Sequence, residues 1–327
     1  MASSGSITSN EKEGRSITLS WSISSQDVTK NYSIISWELT GSGSASGYVM
    51  SGAFKAVING VTVYSSETRI QLRNGTSVAS GTLQISHNAD GTKSFSLSCE
   101  AGVYTYAVSV SASGTHTLNT IPRASSVSAS NVTMGSATTI AISRASSAFT
   151  HTLTYTFGSA TGTIATKTTA TSVSWTPPLT LASQIPKAVT GTCTITCTTY
   201  NGSTSIGSKT CTLTLTVPTT VKPTISSLTA TRVDGDVPST WGIYVQTKSK
   251  ATLAINGAAG SYGSTIASYS IMGGGYTSTA SSFTTGFLNT SGTITFTATV
   301  TDSRGRVSAA ATVSISVVAY SPPSFAS

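Results

Sequence analysis

The segment Gly191–Pro218 reads GTCTITCTTYNGSTSIGSKTCTLTLTVP and decides the fold class. Its first half alternates Cys193, Ile195 and Cys197 with threonines, and its second half repeats the alternation over Cys211–Val217. A period of two residues places the apolar side chains on one face of a β-strand and the hydroxyls on the other. An Asn-Gly pair separates the halves and favours a tight turn. The segment therefore predicts a β-hairpin with one buried face.

The same alternation continues in both directions along the chain. It runs through Ile17–Ile23 near the N-terminus and through Ile294–Val300 and Val313–Val317 near the C-terminus, with Gly-containing turns between the strands. Only Leu179–Ile185 suggests a helix, and it is long enough for one short turn. The sequence therefore predicts an all-β protein built from antiparallel β-sandwiches of the immunoglobulin-like type.

Composition narrows the class of protein. Of the 327 residues, 38% are hydrophobic and only 9% are charged, whereas an average globular protein has about 25% charged residues. The net charge is +8, but the basic residues form no dense patch of the kind that binds nucleic acid. The N-terminal MASSGSITSNEKEG lacks the apolar core of a signal peptide, and no apolar run has the length of a membrane span. We therefore expect neither nucleic acid nor a membrane as a partner. We also expect the chain to be made in a cytoplasm.

Prolines divide the chain at regular intervals. Pro122, Pro223 and Pro322 lie about 100 residues apart, which is the length of one immunoglobulin-type sandwich. Proline cannot donate a hydrogen bond to a β-ladder, so it suits the joint between two sandwiches. We expect sandwiches at 1–121, 122–218 and 219–318, followed by a lead-in to a further one at 319–327. Short proline-containing joints favour an elongated rod.

The cysteines of the opening segment allow two states. Cys193 and Cys197 point to the same face of their strand. A hairpin centred near residue 204 places Cys211 opposite Cys197, where a cross-strand disulfide could form. Without an export signal we favour the other state, in which these residues and Cys99 are buried thiols that act as small apolar side chains.

Catalytic and metal-binding motifs are missing from the sequence. His87, His116 and His151 lie in three separate stretches, and we expect each at the surface or in a turn. Asp234 and Asp236 form a close acidic pair, in a loop that is typical of a solvated turn. No P-loop, GxSxG motif or zinc-ligand spacing occurs. We therefore predict that the chain is not an enzyme and has no catalytic residue, metal or cofactor.

Aromatic residues supply the candidate ligand contacts. The four tryptophans stand in alternating or apolar contexts, which favours core positions for Trp21, Trp37, Trp175 and Trp241. Four tyrosines lie near glycine-rich loops, where a sugar or protein ligand would meet a β-sandwich. These candidate ligand-binding residues are Tyr48, Tyr64, Tyr262 and Tyr276.

Four stretches resemble one protein family. They are SVSWTPPLTLASQIP (172–186) with the opening segment, GTLQISHNADGTKSFSLSC (81–99), GTHTLNTIPRAS (114–125) and FTATVTDSRGRVSAAATVSISVVAYSPPSF (296–325). Together they resemble minor structural, tail-associated proteins of siphophages that infect Gram-positive bacteria. The resemblance implies a virion component of the tail, fibre or another surface appendage, assembled in the host cytoplasm. It implies other phage structural proteins as partners, with host cell-wall polysaccharide and other copies of the chain as further candidates.

The leading hypothesis is thus a bacteriophage structural protein that contributes to attachment to the host surface. Two alternatives stay open. The first is a dedicated carbohydrate-binding protein, with the N-terminal sandwich as the reading module. The second is a bacterial surface adhesin, which would need an export signal from outside this sequence.

Overall fold

A computed structural model describes residues 2–12, 14–43, 54–68, 70, 72, 75–103 and 108–323. Within these residues the chain forms strands almost throughout, in three consecutive groups. Each group closes around its own apolar core. The predicted all-β fold of tandem antiparallel sandwiches is confirmed, and two short parallel pairs are the exceptions.

The first sandwich pairs two four-stranded antiparallel sheets, with strand orders β1-β2-β3-β6 and β5-β4-β7-β8. Two tryptophans on neighbouring strands, Trp21 and Trp37, face the core side by side and are flanked by Gly5 and Gly81 on the outer strands. The Trp21 ring packs edge-on against Phe95 with centroids 5.1 Å apart. Large rings fit at adjacent positions because the glycines beside them carry no side chain. The strands are β1 Ser4–Thr8, β2 Arg15–Asp27, β3 Tyr32–Gly43, β4 Phe54–Ile58, β5 Val61–Ser66, β6 Thr76–Ser86, β7 Ser94–Val103 and β8 Val108–Thr117.

The second sandwich packs a five-stranded sheet, β10-β16-β15-β12-β13, on a three-stranded sheet, β14-β11-β9. All pairs are antiparallel except β10 with β16, a two-residue parallel pair that the sequence did not reveal. The helical turn predicted near Leu179 is present as a 3-10 helix over Leu179–Gln184. The strands are β9 Ser126–Ala129, β10 Val132–Thr133, β11 Thr138–Ser143, β12 Phe149–Phe157, β13 Ala160–Thr168, β14 Ser172–Trp175, β15 Thr190–Asn201 and β16 Thr204–Thr216.

The third sandwich repeats the strand order of the second, with sheets β18-β24-β23-β20-β21 and β17-β19-β22 and a parallel pair between β18 and β24. A second 3-10 turn, Ser239–Trp241, precedes β18. The strands are β17 Ser227–Val233, β18 Tyr244–Val245, β19 Lys250–Asn256, β20 Ile266–Gly273, β21 Tyr276–Ser278, β22 Ser282–Thr284, β23 Gly292–Asp302 and β24 Ala311–Val318. Residues 319–323, the described part of the predicted lead-in, form neither helix nor strand.

The surface area is that of separate modules. The chain exposes 16292 Å². One compact globule of 33.2 kDa would expose about 12,600 Å², and three globules of one third that mass about 17,000 Å². The three sandwiches therefore meet through small contacts and do not share a core.

The opening hairpin forms, but with a different register from the one we predicted. Cys211 lies opposite Ile195, and Cys197 lies opposite Lys209. The turn is tighter than expected, and an irregularity after Thr199 shifts the pairing. All four cysteines are free, and Cys99, Cys193 and Cys197 are buried, so the thiols fill the core and the disulfide alternative is wrong.

Two further expectations about burial are wrong. Trp241 is 62% exposed, because it belongs to the 3-10 turn Ser239–Trp241 and the following strand, β18, begins only at Tyr244. His151 is fully buried in β12, so it is neither at the surface nor in a turn. His87 lies beside the turn at 89–90 and so fits the prediction, although it is buried. The other three tryptophans are core residues as predicted.

Candidate functional site: the joints between the sandwiches

The turn Asp302–Arg306 connects β23 with β24 and organises the joint between the second and third sandwiches. Asp302 is buried, and its Oδ1 accepts hydrogen bonds from the backbone N–H of Arg304 (3.0 Å) and of Arg306 (2.9 Å). The Gly305 N–H donates to the Asp302 carbonyl, and Gly305 takes the left-handed conformation that this turn requires. The Asp302 carboxylate therefore fixes the backbone from which two arginines reach the preceding sandwich.

Arg304 lies across the joint and is 92% buried, with 8% of its surface exposed. Its guanidinium donates to Ala182 O (2.8 Å) and Ile185 O (3.3 Å) of the second sandwich. It also donates to Ser261 O (2.7 Å) and Tyr262 O (2.7 Å) of the third. Burial lowers the pKa of Arg304, and the nearby carboxylate of Asp302 opposes that shift. Four carbonyl partners satisfy a planar donor that would otherwise be costly to bury.

Arg306 binds the linker itself. Its guanidinium donates to Val217 O (2.7 Å), to Val221 O (3.3 Å) and, by a short contact, to Pro218 O. Ser303 of the same turn donates to Pro186 O at 2.6 Å. The turn therefore holds both the loop 176–189 and the chain segment that leaves β16.

The joint between the first and second sandwiches has fewer cross-links. Arg123 donates to Val28 O (2.6 Å) in the first sandwich and to Ile206 O (3.1 Å) in the second. Gly91 packs against the linker, where an added Cβ would lie 1.9 Å from the carbonyl oxygen of Ile121. One arginine thus connects this joint, whereas two connect the other.

Two buried histidines pair with serines near the first joint. His151 Nε2 lies 2.9 Å from Ser125 Oγ, and His87 Nε2 lies 2.7 Å from Ser33 Oγ. His87 Nδ1 donates to the carbonyl of Gly91, so its Nε2 is the acceptor for the serine hydroxyl. Burial lowers the pKa of His151. Both hydroxyls are inside the protein, and each pair links loops or strands as a structural hydrogen bond.

The candidate ligand-binding tyrosines do not come together. Tyr64 packs against the core of the first sandwich. Tyr262 is 40% exposed at the second joint, where its carbonyl binds Arg304. Tyr276 donates its hydroxyl to Phe287 O at 2.7 Å, at the opposite end of the third sandwich. Tyr48 lies outside the described residues.

Polar depressions cover both outer faces of the first sandwich. One, of about 370 Å³, is lined mainly by serines of β7 and β8 with Lys55 and Glu100. The other, of about 630 Å³, is lined by serines, Thr82 and Glu38 on β2, β3 and β6. The tryptophan rings beneath the second depression face the core. These faces offer hydroxyls and carboxylates for hydrogen bonding to a polar ligand.

The acidic loop of the third sandwich is paired with basic residues. Asp234 contacts Arg232, and Asp236 lies 3.6 Å from Lys248 Nζ. Among the described residues no group of three or more His, Cys, Asp or Glu side chains could hold a metal ion. That part of the chain also has no helix with the length and apolarity of a membrane span.

Sequence reasoning missed the three arginines of the joints. A usable signal existed, because charged residues are scarce in this chain and these arginines stand beside Pro122 and in the turn DSRGR. Their partners are backbone carbonyls, however, and no residue type in the sequence marks a carbonyl as a partner.

Comparison with known proteins supports an origin in siphoviruses. Residues 5–326 match a family described as "Siphovirus protein of unknown function (DUF859)". No curated protein matches the chain significantly. Solved structures that the chain matches include fibronectin(III)-like modules of Clostridium thermocellum CbhA, with 12% identity, 59% of this chain and 94% of that chain covered, and a TM-score of 0.23. They also include chicken CNTN1 FN1-FN3 domains, with 8% identity, 91% of this chain and 98% of that chain covered, and a TM-score of 0.24. A set of titin domains matches with 15% identity, 88% and 94% coverage and a TM-score of 0.27.

Strand order, rather than these low TM-scores, supports the fold assignment. The family match spans nearly the whole length of the sequence. The chain belongs to this siphovirus protein family.

Proposed function

We propose that the chain is a structural component of the siphovirus virion, in the tail, a fibre or another surface appendage, and that it contributes to attachment to the host cell. The joint between the second and third sandwiches is the observation that carries this proposal. A module array needs defined angles between its modules to span a distance, and buried arginines with several carbonyl partners supply such angles. The partners we propose are other structural proteins of the phage.

The role in attachment draws on the outer faces of the first sandwich. Serine, threonine and a few carboxylates line both depressions, and such groups form hydrogen bonds with sugar hydroxyls. Weak binding at each face becomes strong when many copies act together on one particle. We propose host cell-wall polysaccharide as the ligand, and binding without catalysis as the mode of action.

Labelling of intact particles tests the proposal. Gold-labelled antibodies against this chain are expected to decorate the tail or an appendage in negative-stain images, and the same antibodies are expected to slow adsorption to host cells. Unlabelled particles from a lysate that contains the chain would refute the virion role. Labelled particles with normal adsorption would refute only the role in attachment.

Carbohydrate binding as the main function is a second candidate, favoured by the depression around Glu38. Purified chain is expected to sediment with host cell walls, and Glu38→Gln is expected to weaken this binding. Lys30→Gln, on the turn between β2 and β3 of the same sandwich, is the matched control and should bind as the natural chain does. Binding that both substitutions leave unchanged would exclude this face as the carbohydrate-binding surface.

A further inference from the structure

Charge in the third sandwich is confined to its two ends. The proximal end faces the second sandwich, and the distal end is where β24 finishes. The flanks between them carry serine, threonine, glycine and apolar residues. The charged residues of 219–318 are Lys222, Asp302, Arg304 and Arg306 at the proximal end, and Arg232, Asp234, Asp236, Lys248 and Lys250 at the distal end.

The proximal charges are used in the joint with the second sandwich. Arg304 and Arg306 bind carbonyls there, and Asp302 holds the turn that presents them. In a chain with so few charges, this concentration marks a contact surface. The distal charges have no comparable neighbour among the described residues.

Aromatic side chains are exposed beside the distal charges. We define the distal face as Trp241, Ile243, Phe287, Val318 and Tyr320. These are five of the ten large apolar side chains that are exposed in the described part of the chain, and Trp241, at 62%, is the most exposed of them. Monomeric proteins seldom gather such residues at one place unless the surface binds a partner.

The strand register places these residues at the same end of the third sandwich. The last residues of β24 pair with β18, which follows directly after Trp241 and Ile243. Phe287 lies in the loop between β22 and β23, which hydrogen-bonds to the start of β19 through Leu288 N and Ser249 O.

Lysines stand over two of the exposed rings. Lys250 Nζ lies 4.7 Å from the centre of the Phe287 ring, and Lys248 Nζ lies 5.4 Å from that of Tyr320. The distal face therefore has an aromatic centre and a charged rim, the composition of a protein interface.

The corresponding end of the second sandwich is covered in this structure. The two sandwiches have the same strand order, so the loop 176–189 corresponds to 285–291, and the chain after β16 corresponds to the chain after β24. The third sandwich docks on both of these segments of the second. In the second sandwich this end of the fold therefore binds a neighbouring β-sandwich, which is the next one along the same chain.

The rim of the distal face carries both signs of charge in adjacent positions. Asp236 is 73% exposed and lies 3.6 Å from Lys248 Nζ, and Asp234 is 46% exposed beside Arg232. A strongly anionic or cationic partner would meet like charges on this rim. In a dimer with a twofold axis through the distal face, Lys248 of one copy can meet Asp236 of the other, and the reverse pair then forms as well.

We propose that the distal face binds a second copy of this chain, end to end, through Trp241, Phe287 and Tyr320 with exchanged Lys248–Asp236 pairs. The aromatic side chains supply the buried centre of the interface, and the charged rim fixes its register. Copies joined in this way leave both joints of each chain undisturbed and both hydroxyl-lined faces of its first sandwich exposed. The inference goes beyond the proposed function and would hold for any role of the chain.

Sedimentation of the full chain tests this inference. We expect reversible association over a range reaching roughly 100 µM, and we expect Trp241→Ser with Phe287→Ser to weaken it at least about tenfold. Val61→Ser is the matched control, because Val61 is 47% exposed on the first sandwich and should be neutral. Circular dichroism and the thermal midpoint show whether each variant is folded.

Charge exchange gives a second test that does not depend on removing aromatic rings. Asp236→Lys alone and Lys248→Asp alone are expected to weaken association, and the double exchange is expected to restore it. A chain that stays monomeric throughout the concentration range overturns the inference and leaves the distal face to another partner. Association that the aromatic and charge variants leave unchanged also overturns it.

Discussion

Replacing Arg304 by alanine should uncouple the third sandwich from the second. The side chain donates two hydrogen bonds across the joint, to Ala182 O at 2.8 Å and to Ile185 O at 3.3 Å. A hydrogen bond from a charged donor contributes roughly 1.5–3 kcal/mol, and the longer of the two belongs at or below the low end of that range. The cost of burying the guanidinium offsets part of the sum. We expect a loss of about 2–4 kcal/mol in docking free energy, which is roughly a 30- to 700-fold change in the docking equilibrium.

Hydrogen exchange read by mass spectrometry measures this change locally. Peptides covering 179–186 and 261–265, the two sides of the joint, should exchange faster in Arg304→Ala, whereas peptides from the first sandwich should not change. In Arg304→Lys these peptides should exchange faster than in the natural chain but more slowly than in Arg304→Ala. An ammonium group cannot reach four carbonyls in the geometry of a guanidinium.

Arg144 provides a matched control. Its guanidinium also binds backbone carbonyls, those of Thr169, Ser146 and Ser147, but all of them lie within the second sandwich. Arg144→Ala should therefore lower the stability of that sandwich without faster exchange at 261–265. Equal exchange at the joint in Arg304→Ala and the natural chain would refute the argument, and so would an equal effect of the two alanine variants.

Three other outcomes are expected. Arg123→Ala should widen the distribution of angles between the first and second sandwiches in small-angle scattering, and an unchanged profile would count against its role. Burial raises the pKa of Cys193 and of Cys197 to about 11, so both thiols should resist alkylation at pH 8 in the native protein. The half-buried Cys211 should react before them. A measured mass two hydrogens below that of the fully reduced chain would contradict free thiols. Burial lowers the pKa of His151 from 6.5, so below that pH the unfolded chain takes up a proton that the native chain does not, and stability should fall on acidification. Urea midpoints at pH 7 and pH 5 measure this fall, which His151→Gln should reduce.

The strands were predictable because each sandwich buries only one face of each sheet. In the opening hairpin the alternation of Cys193, Ile195 and Cys197 with threonine matches the burial of those three residues. The siphophage origin inferred from resemblance is also confirmed by the family match. The Gram-positive host and the place on the virion stay predictions.

The register was not predictable from alternation alone. A shift by two residues keeps every apolar side chain on the same face, so Cys211 could face Cys197 or Ile195 with equal burial. The irregularity after Thr199 and the positive φ of Gly207 decided between them, and both depend on how the turn closes. The exposure of Trp241 was hidden for a similar reason, because Ile243 and Val245 continue its alternation after the 3-10 turn.

The joints were the least predictable part because their chemistry joins a side chain to backbone. Arg304 and Arg306 could have been surface residues on a hairpin turn, and only the packed structure shows the carbonyls that they bind. A backbone carbonyl is present at every residue, so such a joint depends on the shape of the loop and tolerates changes of side chain there. Residues on the flanks of the sandwiches can therefore vary freely. The angle between the second and third sandwiches is kept by one turn, Asp302–Arg306. Substitutions that alter the flanks should leave that angle unchanged, whereas those that alter the Asp302 carboxylate should change it, even though that carboxylate accepts its hydrogen bonds from its own turn.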